Sequence, residues 1–208
     1  MQKVNMYLVV IVCASAMITG PALGSFMTYN GMGLNSQVRV NANGHLADGL
    51  KVQAGQLQIN YENWDYLAYC VDLDHYAGSA DVTELDITSI NNGDLVAWLY
   101  DTYAEGVNSG VDAAALSVAI WEVVYESDDI FDAGTGTFSI SENQDVEEQA
   151  NDLLESLGCI PSSYTPSNGL MVLHSESDQD VMVPEPSMLG LLSIGAVGFL
   201  VKRHTPKR

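Results

Sequence analysis

The chain has 208 residues and carries 27 Asp and Glu against 7 Lys and Arg, a formal net charge of −20. Hydrophobic residues make up 47% and charged residues 16%, a balance that excludes a disordered tail or a coiled coil and leaves a single globular unit of about 160 residues between two atypical ends. So acidic a surface repels phosphate backbones and anionic lipid, which argues against a nucleic-acid partner.

At the N-terminus, Lys3 precedes an apolar run from Met6 to Ile18, followed by Gly20-Pro21 and the small-residue pattern Ala22-Leu23-Gly24 before Ser25. That order predicts a signal peptide over residues 1–24 and export of the remainder of the chain. Val12 stands before Cys13 where a lipoprotein signal needs a small residue, which argues against lipidation.

Residues 25–183 are the predicted globular part. Val38 and Val40 alternate with polar neighbours, as do Leu57, Ile59 and Tyr61, and the period of two predicts half-buried strands. Turns are expected at Asn43-Gly44 and Ala54-Gly55, and a further strand over Leu67 to Leu73. The period then changes. Leu95, Trp98, Leu99 and Tyr103 fall at helical spacing after Asn92-Gly93-Asp94, with Gly106 as the stop. A second helix comes after Asn108-Ser109-Gly110 with Leu116, Ala119, Ile120, Val123 and Val124 on one stripe, widened by Trp121, which places it at the centre of the core. A third is expected from Ser141, with Gln144 three residues on as in a capping box, through Val146, Ala150, Leu153, Leu154 and Leu157. Extended structure returns over Leu170 to Leu173 and Asp180 to Val183. The fold class is α+β: a β-sheet or sandwich with a helical insert, flanked by the signal peptide and a C-terminal hydrophobic sorting helix.

No metal site or cofactor is expected. Asp72 and Asp74 open like a calcium-binding loop, but Tyr76 and Ala77 stand where that loop requires an Asp or Asn and a Gly. Trp98 and Trp121 lie on apolar helical stripes, which leaves Trp64, among Glu62, Asn63 and Asp65, as the candidate exposed aromatic for stacking on a sugar.

Residues 184–208 have three parts in order. Val183-Pro184-Glu185-Pro186-Ser187 comes first, then an apolar stretch from Met188 to Val201, then the basic cluster Lys202-Arg203-His204-Thr205-Pro206-Lys207-Arg208. The stretch is short of the roughly 20 residues of a comfortable membrane helix, so it suits transient inner-membrane insertion with the basic end in the cytoplasm. This end resembles the PEP-CTERM sorting signal of Gram-negative bacteria, with Pro184, Glu185 and Pro186 as the namesake motif. The resemblance implies an exosortase partner that removes the tail. It also implies a producer of exopolysaccharide, with the mature protein at the cell surface or in the extracellular matrix.

Two further strings, Tyr69-Cys70-Val71-Asp72 and Ala115-Leu116-Ser117-Val118-Ala119-Ile120-Trp121, together resemble the thioester domains of bacterial surface adhesins. In that family a Cys after an aromatic residue condenses with a Gln four residues before the Trp. Cys70 matches the thiol position, whereas Ser117 occupies the Gln position and has no acyl carbon to give. The resemblance therefore implies the fold without the bond. Once the signal is removed, only Cys70 and Cys159 remain, and three readings of Cys70 stay open: a disulfide to Cys159, a buried thiol, or a nucleophile. His45, His75 and His174 are available as bases, yet none lies in a protease signature. The expectation is a non-enzymatic surface or matrix protein acting by adhesion or structural association, with exopolysaccharide or another surface polymer as partner. The alternative is a secreted enzyme acting on extracellular polymer.

The five basic residues at the ends leave only Arg39 and Lys51 to face nearly all the acids. Screening should relieve the resulting repulsion, so the melting temperature is expected to rise between low and moderate ionic strength. A thermal melt that is flat across that range would contradict it.

Overall fold

The computed structural model describes residues 25–127, 130–166 and 169–185. The signal peptide over 1–24, the sorting helix, Pro186 and the basic cluster lie outside these residues. Among the described residues no helix is long and apolar enough to cross a membrane.

Among the described residues seven strands, all antiparallel to their neighbours, are β1 (Ser25–Ala42), β2 (Lys51–Tyr61), β3 (Trp64–Cys70), β4 (Ala80–Asp86), β5 (Phe138–Ser141), β6 (Leu170–His174) and β7 (Val181–Pro184). They run in the order β2-β3-β7-β6-β4-β1-β5, and β2 also pairs with β1, so six of them close into a ring with β5 attached to the far end of β1. The expected sheet or sandwich is thus a closed sheet, which hides the edges that an open one would expose. β1 can serve three partners because it is long: Ser25 to Met27 pair with β4, Arg39 to Ala42 pair with β5, and the span between them pairs with β2.

The turn expected at Ala54-Gly55 is instead the interior of β2. Asn35 faces Gly55 next to an irregularity in β1, and Gly55 has φ +140°, where a Cβ would run into the Leu34 carbonyl. Glycine here relieves a bulge within the pair and does not reverse the chain.

Three α-helices are present among the described residues: α1 (Gly93–Tyr103) and α2 (Gly110–Tyr125) after β4, and α3 (Gln144–Glu155) after β5. Helix α2 is begun by a capping box in which the Ser109 hydroxyl accepts from the Asp112 N–H and the Asp112 carboxylate accepts from the Ser109 N–H. Every residue from Ala113 to Val123 is buried. A helix that is apolar on all sides must be enclosed, and its alanines let β1, β2, α1 and α3 approach closely. At its far end the Asn92 and Asn91 side chains donate to the Val123 and Val124 carbonyls, each at 2.9 Å, which satisfies acceptors the helix cannot. α3 starts two residues later than the cap expected at Ser141, which lies in β5. Asn143 is the N-cap, and Val146, Ala150 and Leu154 face the core.

Two buried acids, Glu122 within α2 and Glu126 at its C-cap, break the apolar pattern there. Glu126 is 5% exposed, and its carboxylate accepts from the N–H groups of Ser127 and Thr137, both at 2.7 Å. Glu122 is fully buried; its Oε1 accepts from the Asp132 N–H at 2.8 Å, while Oε2 has no partner among the described residues. Burial, with Glu126 and Asp132 adding like charge, pushes Glu122 up to about 8 against the pull of the Asp132 N–H. Below the ordinary carboxylate range both folded and unfolded chains hold this proton, so there is no penalty. As pH climbs from that range toward 8, the unfolded chain has released the proton and the folded chain has not, and stability falls. Glu122→Gln keeps the acceptor and removes the titration. It should stabilise the fold by roughly 1–3 kcal/mol at pH 8 and by little at pH 4. Denaturant melts at the two pH values check this, and an equal effect at both would refute it.

Candidate functional site

Cys70 is the last residue of β3, where Cys70 pairs with Val181 and the Val71 N–H donates to the Asp180 carbonyl at 3.0 Å. Its thiol donates to the Asp72 carbonyl at 2.8 Å and accepts from the Asp72 N–H at 3.2 Å. From α2, the indole Nε1–H of Trp121 donates to the Cys70 carbonyl at 3.0 Å. One turn on, the Tyr125 hydroxyl accepts from the Leu73 N–H at 2.8 Å. Two aromatic side chains at helical spacing therefore fix the chain from Cys70 to Leu73 against α2. Trp121 is in turn held edge-on to Phe138 of β5, with ring centroids 6.4 Å apart.

This environment disarms the thiol. Complete burial pushes Cys70 far up from the ordinary thiol range, outweighing the Asp72 backbone contact that favours the thiolate. None of the three histidines reaches it. His75 Nδ1 is 2.7 Å from Asp72, His174 Nδ1 is 2.8 Å from Asp180, and His45 Nδ1 is 3.1 Å from Asp74. The hydrogen bond to Asp72 pulls His75 upward, and Asp74, although burial opposes it, is drawn down by its His45 and Leu46 contacts. A nucleophile requires a base aimed at it, and here every candidate base is turned to a carboxylate.

The disulfide reading is corrected: Cys70 and Cys159 are both free, Cys70 buried at the sheet and Cys159 exposed in the short helical turn directly after α3. A disulfide needs its Cβ atoms about 4 Å apart, and nothing joins a sealed strand end to a solvent-facing turn. Ser117 lies on the Trp121 face of α2, fully buried, with its hydroxyl unpartnered among the described residues. Gln144 and Gln149 are engaged on α3 with Glu148 and Asp112. Trp64 is 59% exposed, as expected.

Sequence reasoning missed Gln179. Its Nε2 donates at 2.8 Å to the same Asp72 carbonyl that accepts the Cys70 thiol, so the fold sets a glutamine beside the cysteine from a loop distant in sequence. No local string marks it, because the link is made by β7 pairing with β3. The pairing of His45 with Asp74 was likewise invisible, because 29 residues separate the two. Pro184 ends β7 opposite Leu170, and the Glu185 N–H donates to the Gly169 carbonyl at 2.6 Å, so the sheet finishes inside the Pro184-Glu185-Pro186 string.

The PEP-CTERM protein-sorting motif matches residues 183–203. No curated protein matches the chain in sequence. Among solved structures, the chain is similar to the N-terminal domain of the Streptococcus pyogenes pilus tip adhesin Cpa, with 14% identity and a TM-score of 0.46, covering 78% of this chain and 93% of that one.

Because Ser117 has no acyl carbon and the Cys70 thiol is held protonated, the mature protein is expected to carry no internal thioester. Its intact mass under non-reducing, amine-free conditions should equal that of its sequence. A loss of one ammonia that disappears in Gln179→Ala would overturn this and identify the acyl donor.

Proposed function

We propose that the mature protein is a non-enzymatic adhesion or structural component of a polysaccharide-rich cell surface or matrix, released from its membrane-inserted precursor by an exosortase. The sorting motif marks the chain for export and surface sorting through exosortase processing. The observation that carries the rest of the reading is where this motif begins. β7 lies between β3 and β6 within the closed ring, and the motif starts on its last residues. A cut beyond Glu185 therefore leaves every strand pairing in place, while a cut before Val181 would open the ring. Sorting signal and fold meet at a boundary that lets the tail be discarded without loss of any described strand.

A non-catalytic role is supported by the condition of the site: a thiol sealed and protonated, histidines committed to carboxylates, and exposed Trp64 available for stacking on a sugar face. The acid excess suits a protein bathed in salt water and in contact with neutral or cationic polymer.

The triple substitution Pro184→Ala, Glu185→Ala, Pro186→Ala should leave an unprocessed precursor in the inner membrane, with little protein at the surface or in the medium. Cell fractionation with peptide mapping checks both points, since the wild-type surface protein should yield no peptide from Lys202 to Arg208. Recovery of that tail from surface protein, or normal surface delivery of the triple variant, would refute the proposal.

A further inference from the structure

A cavity of about 270 Å³ opens beside the Cys70 strand end, bounded by β2, the 43–50 turn and the 71–79 loop, with Cys70 and Trp121 on its floor. Its walls are mainly apolar, among them Met32, Val52, Leu57 and Leu73. Three of the large apolar side chains exposed on this molecule, Leu46 at 45%, Leu50 at 40% and Tyr76 at 70%, also border it. Phe26, Leu34, Trp64, Leu67 and Ile130 are exposed elsewhere, but three exposed apolar groups gathered at the mouth of one apolar cavity are the pattern of a site that something covers.

The polar groups around the cavity define the occupant. On the floor, the indole N–H is already spent on the Cys70 carbonyl and the thiol on the Asp72 carbonyl, so the buried part of a ligand finds no hydrogen-bond partner there. At the rim, the ionisable side chains are already paired: Lys51 with Glu142, and His75 with Asp72. A charged ligand would lose hydration and meet no free counter-charge, whereas an uncharged one loses little. An apolar cavity of about 150 Å³ holds a benzene ring, so this one has room for a ring with a substituent. Gln53 and Gln179 border the cavity and offer amides to a neutral hydroxyl or carbonyl at the outer end.

We propose that this cavity is a noncovalent binding site for an uncharged ligand group, a single substituted ring, inserted apolar end first onto Trp121. The proposal deepens the association role of the mature protein and rests on it, supplying a pocket by which the protein would grip a neutral substituent on a surface polymer. The binding itself stands on the cavity alone, so mis-sorting of the motif variant and failure of ligand binding are separate results.

The test uses detergent-free protein recovered from the producing cells, labelled with fluorotryptophan, and three probes of matched shape: benzyl alcohol, benzoate and benzylammonium. The fluorine resonance of Trp121 should shift saturably with benzyl alcohol while those of Trp64 and Trp98 hold still. Both charged probes should bind at least about ten-fold more weakly. Ala77→Phe, which fills the rim from an exposed loop position, and Leu50→Glu, which sets a charge at the mouth, should each weaken benzyl alcohol binding by a similar factor. No saturable shift at Trp121, equal binding of all three probes, or undiminished binding in both variants with unmoved Trp64 and Trp98 resonances would overturn the proposal.

Discussion

The hydrogen bond from the Trp121 indole to the Cys70 carbonyl joins the two halves of this molecule. On one side is α2, buried on every face from Ala113 to Val123 and therefore dependent on what encloses it. On the other is the end of β3, where the closed ring hands the chain to an acidic loop. A buried indole N–H or carbonyl left without a partner costs on the order of 1–3 kcal/mol, so this bond fixes the rotation of α2 against the sheet as well as its distance. With Trp121 set, Tyr125 reaches the Leu73 N–H, Phe138 finds the edge of the indole, and the Cys70 thiol is buried at the base of the cavity. The cavity is what remains beside this joint once α2 has been seated.

The helices were legible because their signals are local. The stripe through Leu116, Ala119, Ile120 and Val123 predicts a central helix, and α2 is central. Asn92-Gly93-Asp94 and Gly106 bracket α1 as its period suggests. Alternation likewise placed the strands containing Val38 and Ile59. What did not show was whatever depends on pairing between distant segments. Gly55 looks like a turn in isolation and becomes a strand residue only because β1 bulges opposite it. Ring closure, too, rests on β1 being long enough to pair with both β2 and β4, and no window of sequence contains that fact.

The site divides in the same way. Cys70, Ser117 and Trp121 were found from short strings, and the structure puts Cys70 and Trp121 in direct contact. Gln179 was not found, because it arrives beside Cys70 through the β3–β7 pairing. The disulfide reading failed on a point of the same kind: an even count of cysteines says nothing of whether the strand end that buries one of them ever meets the turn that exposes the other.

A chain with two Lys or Arg between its ends must satisfy its carboxylates in some other way, and the structure shows how. Asp48 accepts from the Ala42 N–H, Asp74 from Leu46, Asp86 from Thr88, Asp180 from Ser175, and Glu126 from Ser127 and Thr137. Each of these bonds closes a turn or a loop, so the acids that seem to burden the surface in the sequence are the fasteners of its connections. The three histidines extend the scheme, each set against an aspartate within hydrogen-bond reach. A carboxylate bound by backbone N–H groups needs no cation beside it. The high negative charge and the small supply of Lys and Arg are thereby reconciled: repulsion between carboxylates acts across the surface and is screened by salt, while the bonds that hold each loop are short, local and largely unscreened.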